Sequence, residues 1–327
     1  MADRLRRSLV LSVVVLACTP FGRGPQPRFT ASGDYELEIA RPGGERSFIL
    51  HLPPDFQTSG PLPVLLAFHG GGGNAPGFQE YAGLDAPADA RGFAVVYPNG
   101  SGRFDRRLLT WNAGDCCGYA QEHDVDDVGF ALAILADLSR DLPLDHARVY
   151  ATGHSNGAMM AYRLAADAAT RIAAIVPVAG ADMTRTFAPE APVSVLHVHS
   201  VDDPRALYAG GLGPSFPLTN RRIEHRAVAA GLARWRARDG CTGEGRKTDA
   251  RSVGGHTAIL LDYAPCGEGS DVALWKLTGA GHGWPGGGSI LPERIVGPNT
   301  EVIAVAEEIF RFVANHARPD APPLTSR

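Results

Sequence analysis

The chain has 327 residues, enough for one large α/β domain or two small ones with an ample core. Its 44% hydrophobic and 20% charged residues are ordinary for a soluble globular enzyme. A formal net charge of −4 supplies no basic stripe, so neither a nucleic-acid partner nor an anionic-membrane partner is expected.

Residues 1–18 read as an export signal. Arg4, Arg6 and Arg7 precede an apolar run from Leu9 to Ala17 that is too short to span a bilayer. Val15-Leu16-Ala17-Cys18 also resembles a bacterial lipobox, which implies a lipid anchor on Cys18, and Arg6-Arg7-Ser8-Leu9 loosely resembles a twin-arginine motif. Residues 19–33, rich in Gly and Pro, read as a tether. Residues 34–318 form the expected catalytic domain, and 319–327 a tail.

Tyr35–Ile39 and Phe48–Leu52 read as an antiparallel pair of strands. Pro63–His69 is almost continuously apolar, as expected of a strand covered on both faces. It runs into His69-Gly70-Gly71-Gly72-Gly73-Asn74. Polyglycine leaves backbone N–H groups unobstructed, which a developing alkoxide requires, so Gly70 or Gly71 is a candidate for an oxyanion hole. No G-K-S/T follows, so a phosphate cradle does not fit. His69 reads as a structural hydrogen-bonder. Phe93–Tyr97 is the next strand, and Gly100–Glu122 is a loop long enough to suggest function. Asp124 or Asp126 is placed to cap a helix over Asp126–Leu142.

Val149–Thr152 is β-prone, Gly153-His154-Ser155-Asn156-Gly157 follows, and Asn156–Ala168 is helix-prone without a breaker. A strand, G-x-S-x-G and a helix in succession describe a nucleophile elbow, in which Ser155 is lifted above a sheet. The N–H of Asn156 then lies at the positive end of the helix, ready to share an oxyanion. Ile172–Val178 and Val193–His199 are further strands, and Asp202 and Asp203 follow the second. Either carboxylate can orient a catalytic histidine, and spacing does not separate them. Ala209–Thr219 reads as a second long loop, Arg222–Arg238 as a helix, and Ala258–Tyr263 and Val272–Leu277 as strands. His282 then lies among glycines in Gly279-Ala280-Gly281-His282-Gly283-Trp284-Pro285-Gly286, and Thr300–Asn315 closes the chain as a helix.

Alternating strands and helices predict a mostly parallel central sheet with helices on both faces, and the nucleophile elbow marks it as an α/β-hydrolase fold. Serine, acid and histidine occur in the order this fold uses. Without Cys18, four cysteines remain and allow three pairings. Cys241 and Cys266 flank a strand-like segment and are expected to pair, while Cys116 and Cys117 can form a vicinal bridge. Adjacent cysteines present tetrahedral ligands poorly, so they are not expected to bind metal. No cofactor is expected.

His69-Gly70-Gly71-Gly72, Trp111-Asn112-Ala113-Gly114, Val125-Asp126-Asp127-Val128, the elbow with Ala158-Met159, and Gly281-His282-Gly283-Trp284-Pro285-Gly286 carry a family resemblance. Together they resemble secreted esterases of the poly(3-hydroxybutyrate) depolymerase, feruloyl esterase and acetylxylan esterase type, from about Phe48 to the last helix. That family's acid segment reads H-G-T-x-D followed by Y-x-G-G. Here His199-Ser200-Val201-Asp202-Asp203 and Tyr208-Ala209-Gly210-Gly211 stand in register, which selects Asp203. Ser200 and Val201 depart from the family's Gly-Thr, and the oxyanion loop lacks the cysteine of many depolymerases. The resemblance implies ester hydrolysis by Ser155, Asp203 and His282, on a small-molecule, polysaccharide or polyester ester. It also implies that Trp111, Tyr208 and Trp284 line the pocket.

Three other readings compete. A secreted serine peptidase would use the same groups. A metal-dependent hydrolase would use His197 and His199, which alternate on a strand and so face one side, with Asp202, Asp203 and His282 as further ligands. A non-catalytic binding protein would keep the fold without turnover.

Overall fold

The computed structural model describes residues 27–104, 106–215, 220–288 and 291–324. The expected export signal, Cys18, the first part of the tether and the last three residues of the tail lie outside the described residues. The first strands are β1 (Gly33–Arg41), β2 (Gly44–Leu52), β3 (Leu62–Phe68) and β4 (Ala94–Pro98), with helices α1 (Ala75–Ala82) and α2 (Asp85–Asp89) between the last two. Helices α3 (Gly118–Glu122) and α4 (Asp127–Leu138) lead to β5 (Leu144–His154), α5 (Asn156–Asp167), β6 (Ala174–Val178) and β7 (Ser194–Ser200). A short hairpin, β8 (Gly211–Leu212) with β9 (Glu224–His225), precedes α6 (Val228–Arg238). Strands β10 (Arg246–Val253), β11 (His256–Asp262) and β12 (Val272–Thr278), then α7 (Glu293–Val296) and α8 (Val305–Val313), complete the order.

Among the described residues, ten strands form one sheet in the order β1-β2-β4-β3-β5-β6-β7-β12-β11-β10. The run from β4 to β12 is parallel, and antiparallel strands flank it on both sides. Successive side chains of a strand point to opposite faces, so a strand covered on both must be apolar throughout. In β3, Val64, Leu66 and Phe68 join one core with α4, α5 and α6, while Leu65 and Ala67 join a second core with α1, α2 and α8. Phe29, within the expected tether, and Leu324, within the expected tail, are both buried in the first core.

The caps behave as short polar side chains should. Asp126 Oδ1 accepts the Gly129 N–H at 2.7 Å, and Asn74 Oδ1 accepts the Gly77 N–H at 2.9 Å. Asp124 instead accepts from the Asn112 side chain at 3.1 Å. Helix α6 starts six residues later than the sequence predicts. Residues before it are extended because the Gly213 N–H donates to Ile223 and the Arg222 guanidinium donates to Gly213. Strand β10 was not anticipated. It is a charged, mostly exposed edge strand, a composition that discourages pairing with another chain. Both cysteine pairs are joined, Cys116 with Cys117 and Cys241 with Cys266.

His51 of β2 is pinned at both ring nitrogens, by Asp34 at 2.6 Å and Asp89 at 3.0 Å. Burial alone would lower its pKa, but these bonds and the Asp85 charge outweigh burial and raise it. A raised histidine pKa contributes stability that is complete below the unfolded value of about 6.5 and is lost as pH rises through the folded value. Urea unfolding should therefore find wild type ahead of His51→Gln by more at pH 6 than at pH 9. An equal margin at both would show that His51 is not held charged.

Candidate active site

The loops after β3, β5, β7 and β12 meet over the carboxyl ends of neighbouring parallel strands, where open α/β sheets place their ligands. Ser155 stands between β5 and α5 at φ 56° and ψ −118°, a sparsely populated conformation for a residue with a Cβ. The crossing that enforces it is tight. A Cβ on Gly157 would collide with the Phe68 carbonyl oxygen, and one on Gly153 would meet the Gly157 backbone. Only glycine fits at either position.

His282 Nε2 lies 2.9 Å from Ser155 Oγ, and His282 Nδ1 lies 2.7 Å from Asp203 Oδ2. A carboxylate can only accept, so Nδ1 carries a hydrogen and Nε2 faces the hydroxyl with its lone pair. Asp203 Oδ1 accepts the N–H groups of Arg205 at 2.7 Å and Ala206 at 2.9 Å. Burial would raise the Asp203 pKa, but contacts with His282 and His199 outweigh it and hold the carboxyl well below the ordinary range. The rival has a different place. Asp202 Oδ2 accepts the Gly279 N–H at 2.7 Å, tying the acid turn to the start of the histidine loop. Ser200, where the family pattern has glycine, strengthens the same tie by donating to the Ala280 carbonyl and accepting the Asp202 N–H.

The oxyanion candidates sit against the serine. Gly70 packs beside Ser155 and His154, and Gly71 beside Asn156. Among the described residues, the N–H groups of Gly70, Gly71 and Asn156 have no acceptor. The His69 side chain holds this loop. His69 Nδ1 donates to the Gly70 carbonyl at 2.8 Å, and its Nε2 accepts the Gly100 N–H at 3.0 Å. Burial pulls the His69 pKa down to about 4, so it stays neutral in this role. Asn156 clasps the Trp111 backbone, accepting its N–H at 2.8 Å and donating to its carbonyl at 3.0 Å.

His154, the variable position of the pentapeptide, was not singled out from the sequence. Its Nε2–H donates to the His282 carbonyl at 3.0 Å, which braces the histidine loop from the elbow. Burial, aided by the nearby His282, lowers its pKa to about 3. The signal was its position, because the residue beside the nucleophile lies under the loop that brings the catalytic histidine.

Two of the three aromatics expected at the pocket are sealed in the interior. Trp111 is fully buried, packs edge-on to Phe68 and donates its indole N–H to His69. Trp284 is 2% exposed and donates to Ala82. Tyr208 is half-buried and meets His199 edge-on. The apolar faces of the two tryptophans are spent on packing. A cleft of about 680 Å³ lies between the Cys116–Cys117 segment and Arg222–Arg226. The disulfide and Met183 in its wall pack with Met159, one turn beyond Ser155.

His197 and His199 face one side of β7, as alternation requires, but their lone pairs do not converge on a common point. His197 Nε2 and His199 Nδ1 are bonded to each other at 3.0 Å. Two ligands turned on each other are unfit to hold a metal between them.

The family model described as "Esterase PHB depolymerase" matches residues 46–244. Over 311 residues the chain is 28% identical to "Putative esterase NocK" of Nocardia uniformis subsp. tsuyamanensis, a match covering 92% of this chain and 88% of that one. Over 244 residues it is 26% identical to feruloyl esterase B of Piromyces equi, covering 72% of this chain but 42% of that protein's length. The fold is similar to that of acetyl xylan esterase from Aspergillus awamori, with a TM-score of 0.58 at 14% identity over 86% of this chain and 99% of that one.

Proposed function

The chain belongs to the esterase PHB depolymerase family, and on that premise we propose that it cleaves carboxylic esters through an acyl-enzyme formed on Ser155. One observation carries the reading: His282 bridges the Ser155 hydroxyl and the Asp203 carboxylate at 2.9 and 2.7 Å. The Ser155 proton passes to His282 Nε2 as Oγ attacks the ester carbonyl. Asp203 offsets the charge of the resulting imidazolium without taking its proton. The amides of Gly70 or Gly71 and Asn156 receive the oxyanion, and His282 then protonates the departing alcohol. Water, activated by the same histidine, releases the acid.

The proposed substrates are feruloyl, acetyl or short hydroxyalkanoate esters, supported by the names of the feruloyl and acetyl xylan esterases to which the chain is similar. The cleft beside the vicinal disulfide suits the acyl or the alcohol part of such an ester. Action outside the cytoplasm is supported by two disulfides, which persist in oxidising compartments.

A fluorophosphonate probe tests the mechanism. The expected adduct, located by peptide mass spectrometry, is on Ser155, with turnover of methyl ferulate, acetylated xylan or a hydroxybutyrate oligomer lost in step. An unlabelled, fully active enzyme that a chelator silences would favour a metal-dependent route instead. Cleavage of amides in preference to all three esters would favour a peptidase.

A further inference from the structure

Behind Asp203, three buried side chains form a hydrogen-bonded row that ester hydrolysis does not itself require. Tyr162 Oη lies 2.9 Å from His197 Nδ1, and His197 Nε2 lies 3.0 Å from His199 Nδ1. His199 Nε2 lies 2.7 Å from the Ala206 carbonyl and 3.2 Å from Asp203 Oδ2. Tyr162 is 1% exposed, His197 0% and His199 2%, so water does not satisfy any of them.

The two ends set the direction of every hydrogen between them. At one end the Ala206 carbonyl and the Asp203 carboxylate can only accept, so His199 Nε2 carries a hydrogen. At the other, Tyr162 has no second acceptor among the described residues, so its hydroxyl must donate to His197 Nδ1. The middle bond then has one solution, in which His197 Nε2–H donates to a bare His199 Nδ1. Both rings are neutral and carry their hydrogen on Nε2. Adding a proton to either would point two hydrogens at one another or strand the tyrosine hydroxyl. Burial, which drives the His197 pKa well below its ordinary value, acts in the same sense.

We propose that Tyr162, His197 and His199 are a one-way hydrogen-bond chain whose last member, His199, is a positioning residue for Asp203. His199 grips the acid turn at two points. Its Nε2–H faces the Ala206 carbonyl, and the N–H of that same residue donates to Asp203 Oδ1. It also lies against the oxygen that accepts from His282. Tyr162 and His197 set the tautomer that gives His199 its donor. The proposal rests on the triad reading above and adds to it the group that keeps the carboxylate aimed.

Nitrogen-15 spectra of the imidazoles in the full-length wild-type protein test the direction. Both His197 and His199 are expected to be protonated on Nε2 and bare on Nδ1, and an Nδ1–H on either ring would overturn the chain. Kinetics test its use. In His199→Phe, kcat on p-nitrophenyl acetate should fall about tenfold while KM stays within twofold, since one hydrogen bond of a well-held carboxylate is lost. His199→Gln, which restores an amide donor near the Nε2 position, should recover most of that loss. The His282 Nδ1–H resonance should move in the Phe variant and return in the Gln variant. A folded His199→Phe with wild-type kcat and an unmoved resonance would refute the positioning role. Should His199→Phe not fold, Tyr162→Phe removes a single oxygen, and an unchanged His197 and His282 nitrogen spectrum in that variant would refute it equally. The triad reading fails separately, through an active Ser155→Ala.

Discussion

Ser155→Ala is expected to lower kcat on p-nitrophenyl acetate by about 10⁵-fold, leaving the fold and the ester's affinity close to wild type. The size follows from what is removed. Without Oγ no acyl-enzyme forms, and His282 Nε2, now 2.9 Å from nothing nucleophilic, can only assist water. The residual rate would come from the oxyanion donors and from binding, worth about 10³-fold over water in serine hydrolases. Alanine also lacks the hydroxyl without altering the backbone that holds φ at 56°, so a loss of activity is not a loss of structure. Circular dichroism beside stopped-flow rates separates the two. An alanine variant within tenfold of wild type would remove Ser155 from the chemistry.

The neighbouring carboxylates should respond very differently to the same change. Asp203→Asn is expected to cost about 10⁴-fold in kcat, because an amide facing His282 Nδ1 can present a hydrogen of its own and favour the wrong tautomer. It also removes the charge that stabilises the imidazolium. Asp202→Asn is expected to cost only a few fold, since an amide oxygen can still accept the Gly279 N–H that Asp202 now receives. Rates of the two variants measured side by side would decide between the carboxylates. Equal losses would mean that the acid turn moves as a body and that neither has a distinct role.

Ser155 was legible because its signals are consecutive. The strand, the pentapeptide and the helix each support the others, and the collisions at Gly153 and Gly157 show why that spelling is needed. His282 was legible from chain order and its glycine-flanked loop. Asp203 was not separable from Asp202 by spacing, since both follow the same strand, and the choice required the register of a family pattern. The structure supplies the physical difference, placing one carboxylate on an imidazole and the other on a backbone amide.

What escaped the sequence did so for identifiable reasons. Arg246–Val253 forms a strand without apolar alternation because an exposed edge has no core face to mark it. Trp111 and Trp284 seemed fit to line a pocket because large aromatics often do, but their indole N–H groups are committed to backbone carbonyls that sequence does not reveal. The H-x-H pair was read correctly as sharing a face of its strand. Its partners could not be foreseen, because Tyr162 lies 35 residues before His197 and comes from a helix on that face.

The buried row of Tyr162, His197 and His199 has an evolutionary consequence. Replacing any one member by an apolar residue strands a donor or an acceptor in the interior, at a cost of about 1–3 kcal/mol, and replacing all three would leave the Ala206 carbonyl and Asp203 without the His199 donor. Substitutions within the trio are therefore expected to be coupled rather than independent. Lineages that had lost the tyrosine alone would carry a burden that the next substitution in the row relieves.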